Sequence, residues 1–165
     1  MGLLTKKVRM GALVLAVASG AAITAPSRAD AQAQPTIEGV WRVTRHGVNC
    51  QTGQQLVSFP ALMTFHKDGT VSSDAVGPGA SPAQGTSEHG VWRREPGSQV
   101  YSFRLLSYAW NAATGAFQSS TEVTARVQLT SDGTLTYESS IQFFDPAGTP
   151  AGPAHCGQAT GTRFE

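Results

Sequence analysis

The residues of this chain that could do chemistry are four histidines, two cysteines and scattered serines. His46, His66, His89 and His155 stand far apart, with no H-x-H or H-E-x-x-H pair, so their spacing offers no metal site. Glu88 and His89 are adjacent; in a strand they point to opposite faces and cannot form a simple dyad. No G-x-S-x-G elbow marks a serine nucleophile, and no glycine-rich loop has phosphate-cradling spacing. Cys50 and Cys156 each lack a second Cys or His at ligand spacing, which leaves a disulfide or two free thiols. No catalytic residue, metal ligand or cofactor is therefore expected.

What remains is binding, and the residues for it lie on alternating positions. From Phe117 to Leu129, Phe117, Val123, Ala125, Val127 and Leu129 are apolar while Gln118, Glu122, Thr124, Arg126 and Gln128 are polar. Leu135, Tyr137, Ile141 and Phe143 repeat the pattern, as do Val57, Phe59, Ala61, Met63 and Phe65. A period of two buries one face of a strand and wets the other. The same inward parity includes Ser119, Thr121 and Ser139, small polar residues that leave volume and offer hydrogen bonds. Phe59, Met63, Phe117, Ser119, Thr121, Tyr137, Ser139 and Phe143 thus form a candidate lining for an apolar ligand with a polar handle. The alternative is a filled core whose hydroxyls bond to one another or to buried water.

Turn signals separate these runs: Lys67-Asp68-Gly69, Pro96-Gly97-Ser98, Ala113-Thr114-Gly115, Ser131-Asp132-Gly133 and Asp145-Pro146-Ala147-Gly148. They predict about eight strands, near 37–46, 56–66, 69–74, 87–95, 99–110, 116–129, 134–144 and 155–164. Short turns make neighbours antiparallel, and eight strands can close into a small barrel. Pro60 predicts a bulge or an unpaired edge. In the strand near 99–110, Tyr101, Phe103 and Leu105 share one parity and Leu106, Tyr108 and Trp110 the other, which predicts a switch of face at Leu105-Leu106. The stretch 74–86, rich in Gly, Pro and Ala, is expected as a loop, either a lid or a plain connection.

Residues 1–31 are expected to be a signal peptide. Lys6, Lys7 and Arg9 precede the apolar run Met10 to Ala25, and Ala29-Asp30-Ala31 offers small residues for cleavage after Ala31. The run is short for a membrane span. Residues 32–165 then form one domain, exported to the periplasm or secreted, where a disulfide is the natural state of Cys50 and Cys156. The chain carries 12 basic and 11 acidic residues. Lys6, Lys7, Arg9, Arg28 and Asp30 lie in the leader, so the slight positive excess belongs to it and residues 32–165 carry 8 basic against 10 acidic residues; no nucleic-acid partner and no stable membrane insertion are expected.

The cysteines test closure. In an up-and-down barrel of even strand number, the last strand pairs with the first, and the end of one lies beside the start of the other. Cys50 follows the first predicted strand and Cys156 opens the eighth, so closure would bring them together. Gly39-Val40-Trp41 resembles the G-x-W at the start of the first strand in lipocalins and the wider calycin group. In that family an Arg near the end of the last strand packs across the Trp, and Arg163 stands at the matching place. The resemblance is to small exported bacterial barrels rather than typical lipocalins, since Ser131-Asp132-Gly133 replaces their T-D-Y signature between strands six and seven. It implies structural roles for Gly39, Trp41 and Arg163, and binding of a small hydrophobic molecule. The second GVWR, at Gly90-Val91-Trp92-Arg93, is expected only to begin the fourth strand.

The expected protein is thus an all-β, eight-stranded antiparallel barrel that binds a small hydrophobic or amphipathic molecule. Alternatives are a calycin-like isomerase or cyclase, with Tyr137 or His66 as its inward titratable group, and a ligand-free barrel acting through protein contacts, for which exposed Tyr108 or Trp110 would speak.

Overall fold

Each of the five foreseen turns contains a glycine with positive φ: Gly69, Gly97, Gly115, Gly133 and Gly148. At the first of them, Asp68 Oδ1 accepts the Thr70 amide at 2.9 Å and its hydroxyl at 2.6 Å. Those hydrogen bonds hold the Asp68 carboxyl below its ordinary pKa. The turns reverse the chain, and alternation fixes which face of each strand goes inside.

The computed structural model describes Gly2, residues 36–75, Gly77 and residues 82–164. The expected signal peptide lies outside the described residues apart from Gly2, and so does most of the stretch 76–81. The strands are β1 (Gly39–Val48), β2 (Gln55–Phe65), β3 (Thr70–Ala75), β4 (Glu88–Arg94), β5 (Val100–Trp110), β6 (Phe117–Leu129), β7 (Leu135–Phe144) and β8 (His155–Arg163). They form a closed antiparallel barrel in chain order. A 3-10 turn, Pro82–Gln84, precedes β4. Closure is made by β8 on β1, from Trp41 opposite Arg163 to Val48 opposite Cys156. The disulfide joins Cys50 to Cys156, with Cα atoms 5.2 Å apart.

The inward face of one half of the barrel is filled. Trp41, Met63, Phe65, Phe103, Val127 and Leu135 are all fully buried there, with Ile37 beneath them. Aromatic edges meet in sequence: Tyr137 on Phe103 at 5.2 Å, Phe103 on Phe65 at 6.0 Å, Phe65 on Trp92 at 6.3 Å, Trp92 on Tyr101 at 5.8 Å. Full burial of each large apolar side chain stabilises the barrel by about 1.5–3 kcal/mol. Trp41 donates its indole N–H to Ile37 O at 2.7 Å. Gly90 permits a close backbone approach: a Cβ there would lie 1.7 Å from Arg104 O. Trp92 donates to His66 O at 2.8 Å, so the second GVWR opens β4 and contributes to the core.

Pro60 sits where β2 stops pairing with β3, whose register with β2 ends at Ala61 opposite Ala75; from Pro60 back to Gln55 the strand pairs with β1. The face of β5 does not switch at Leu105-Leu106. Leu105 is buried and Leu106 exposed, and pairing with β6 runs unbroken through both. The irregularity comes later, between Ala109 and Trp110, where Trp110 faces Phe117 and Gln118 is skipped. Leu106 is an apolar residue on the outer face, which is why parity misled there.

Candidate functional site

The filled half ends at a lateral row formed by Arg45, Ala159 and Tyr137, which face one another across β1, β8 and β7. Ala159 is small, so the two long side chains reach past it into the interior. One row nearer the strand ends opened by β8, the facing residues are Gly47, Gly157 and Ser139. Gly47 and Gly157 put no side chain of their own into the interior, and neighbours close over them: a Cβ on Gly47 would come 2.8 Å from Val57 Cγ1. The packing around Gly157 is itself tight, since a Cβ there would come within 2.5 Å of Ser139 Oγ.

This row borders a cavity of about 470 Å³, inside the range of roughly 300–1,000 Å³ common for small-molecule sites. Its walls include Val57, Phe59, Val123, Ile141 and Phe143, with Thr121, Ser107 and Ser139 as neutral polar points. It reaches the exposed rim at Leu56, 67% exposed, and Phe143, 40% exposed. The Cys156 end of the disulfide and Gly157 belong to the same wall.

A buried ion pair lies in this apolar surround. Arg45 Nη1 donates to Glu88 Oε1 at 3.0 Å, and Nη2 stands 2.7 Å from Glu88 Oε2. Nη2 also donates to Ser73 Oγ at 2.8 Å. Burial works against the charge on Arg45, but the facing Tyr137 and Glu88 oxygens outweigh it and raise its pKa. At neutral pH Tyr137 is a phenol, so Glu88 is the counter-ion. Burial pushes the Tyr137 phenol up to about 12, with Arg45 opposing that shift and Glu88 adding to it. The Tyr137 hydroxyl lies beside the Arg45 guanidinium, yet among the described residues it has no well-aligned hydrogen-bond partner and Arg45 Nε has no acceptor.

Of the residues foreseen as lining, Phe59, Thr121, Tyr137, Ser139 and Phe143 come together around this cavity. Met63, Phe117 and Ser119 are not among its walls. Met63 is fully buried opposite Trp41, deep in the packed half. Phe117 begins β6 at the irregular pairing and is 41% exposed, edge-on to Tyr108 at 6.0 Å. Ser119 is half-buried opposite Ala109. His66 is exposed at the β2–β3 turn, at the opposite end of the barrel from the cavity. Sequence reasoning does not single out Arg45 or Ser73, and it considers Glu88 only beside His89. Arg45 carried a signal, since it shares the parity of Trp41 and Val43: a charge on the apolar face of a strand needs a partner. Among the described residues, no group of three His, Cys, Asp or Glu is placed to hold a metal ion.

At the other end of the barrel, Arg163 lies over the Trp41 ring, its guanidinium carbon 4.7 Å from the centroid. Its Nη1 donates to Glu38 O at 2.7 Å, and Nη2 donates to Thr36 O. Gly39 has φ +119°, and a Cβ on it would meet Arg163 Nη1 at 2.8 Å. These three residues seal the packed end and stand far along the barrel from the cavity.

Neither a scan against known protein families nor a search of curated proteins finds a match to this chain.

Proposed function

We propose that this protein is an exported, lipocalin-like carrier that holds a small amphipathic molecule in the cavity above Arg45 and Tyr137. The observation that carries it is the combination of an apolar-walled cavity with a buried, partly unsatisfied polar cluster at its floor. The ligand's apolar body would replace water against Phe59, Ile141 and Val123. Its polar end would meet donors that have no partner among the described residues, and such groups are costly to leave unpaired. The lipocalin-like part of the proposal rests on Gly39, Trp41 and Arg163 at the closure seam of an eight-stranded barrel. Export is supported by the Cys50–Cys156 disulfide, which is stable in oxidising compartments. Among the described residues, no helix is long and apolar enough to cross a membrane.

The test is uptake of the uncharged fluorophore N-phenyl-1-naphthylamine, together with native mass spectrometry for a co-purified molecule. Thr121→Trp, which fills the cavity from its wall, is expected to abolish dye uptake while the far-ultraviolet spectrum stays that of a barrel. Equal uptake by this variant would place the dye elsewhere and remove the support.

One observation favours catalysis as a second function. Tyr137 faces the cavity and burial keeps it a phenol, which suits it to polarising a substrate oxygen through a hydrogen bond rather than to giving up or removing a proton. If that chemistry operates, Tyr137→Phe loses turnover by a far larger factor than it weakens ligand binding.

A further inference from the structure

The floor of the cavity has a definite polar composition, and it constrains what can sit on it. Among the described residues Arg45 Nε has no acceptor and the Tyr137 hydroxyl has no hydrogen-bond partner; His46 Nδ1 is likewise unpartnered, and Glu88 Oε2 is met only by its ion-pair contact with Arg45. Arg45 and Tyr137 are almost wholly buried, at 7% and 5% exposure, and both line the cavity. Two orphan donors beside each other call for an acceptor oxygen.

Charge decides which kind of oxygen. Arg45 is the only Lys or Arg among the cavity's described walls, and it is already neutralised by Glu88 at 2.7 Å and 3.0 Å. A carboxylate arriving here would lose its water, share one cation with a resident carboxylate, and feel that carboxylate's repulsion. A ketone, ester or amide oxygen accepts the same hydrogen bonds and brings no charge to bury.

Resting on the carrier function above, we propose that the barrel selects ligands whose polar end is an uncharged carbonyl-type oxygen and discriminates against carboxylates of the same length. Glu88 is the residue that sets the preference. It stabilises Arg45 and, by doing so, removes the site's attraction for anions.

The experiment is displacement of N-phenyl-1-naphthylamine from the purified protein at pH 8 by 2-undecanone and by undecanoate, in wild type and in Glu88→Gln. In wild type the ketone is expected to displace the dye at a concentration at least about tenfold lower, the scale set by hydrogen bonds to a charged donor and a desolvated anion. Glu88→Gln keeps the side chain's shape and leaves Arg45 without a counter-ion, so undecanoate should improve by about tenfold or more and the order should invert. Equal or tighter binding of undecanoate by wild type overturns the proposal, and the wild-type ratio stands even if Glu88→Gln does not fold. A folded Glu88→Gln with an unmoved ratio overturns it as well. Dye binding that neither compound displaces overturns the polar-end assignment alone, whereas absence of dye binding overturns the carrier function beneath it.

Discussion

Arg163 faces Trp41 across the β1–β8 seam, its guanidinium carbon 4.7 Å from the indole centroid. One planar cation thus covers the ring that plugs the packed end and caps the carbonyls of Thr36 and Glu38. Replacing Arg163 by Ala should lower the unfolding free energy by about 1–3 kcal/mol, combining loss of the stack with loss of charge-assisted hydrogen bonds. Lys at this position should restore less than half of that, because an ammonium cannot fork to two carbonyls while lying flat on a ring. Urea unfolding midpoints of the three proteins decide it, and an unmoved midpoint in the Ala variant would mean the seam holds without this contact.

Cys50 and Cys156 are separated by 106 positions. Chain-entropy arguments give a crosslink over a loop of that size about 4–5 kcal/mol of stabilisation. The double variant Cys50→Ser/Cys156→Ser should keep the barrel's far-ultraviolet spectrum and lose most of that amount in guanidinium unfolding. A loss below about 1 kcal/mol would show that the unfolded chain is already held compact.

Glu88 and Arg45 depend on each other. Glu88→Leu alone should cost about 3–5 kcal/mol, because it leaves a buried guanidinium without its counter-ion. Adding Arg45→Met should recover most of the loss, since a buried pair replaced by apolar side chains of similar volume is often neutral or better. The interaction energy from the double-mutant cycle is the measurement. Additive losses would mean that solvent reaches the pair and screens it.

Tyr137 predicts a sensitivity to alkali. Its folded pKa of about 12 lies above the ordinary tyrosine value of 10.0. Between those two values the folded state holds a proton that the unfolded state has released, so stability falls as pH rises through that window and is fully present below it. At about 1.4 kcal/mol per pKa unit, the loss attributable to this residue is about 2–3 kcal/mol. Chemical unfolding at pH 9 and pH 12 should therefore show a steeper decline in wild type than in Tyr137→Phe. Identical declines would mean that the phenol is not desolvated.

The barrel could be read from the sequence because two signals coincide along the chain. Turn residues with obligatory backbone geometry fall between runs of period two, and observed strand bounds lie within a few residues of those expected. Closure could be read because Cys50 and Cys156 flank the first and last strands. The candidate site was only partly legible. Phe59, Thr121, Tyr137, Ser139 and Phe143 stand on inward positions and do meet around the cavity. Parity, however, says which face a residue is on and not how far along the barrel it sits. Met63 is inward but packed among large neighbours, while Phe117 is at an irregular strand start beyond the walls. Arg45 escaped notice because Thr44 and His46 beside it are also polar, which hides the alternation. Glu88 stands beside His89 in the chain, whereas its partner comes from a strand 43 positions earlier.

The seam between β1 and β8 also has a consequence in time. β1 is made before any other strand and stays without its second partner until β8 has been synthesised. Until then the sheet carries two bare edges, at β1 and β7, which invite pairing with other chains. Closure therefore waits on β8, and that strand, with its cysteine, works as the clasp that ends the exposure.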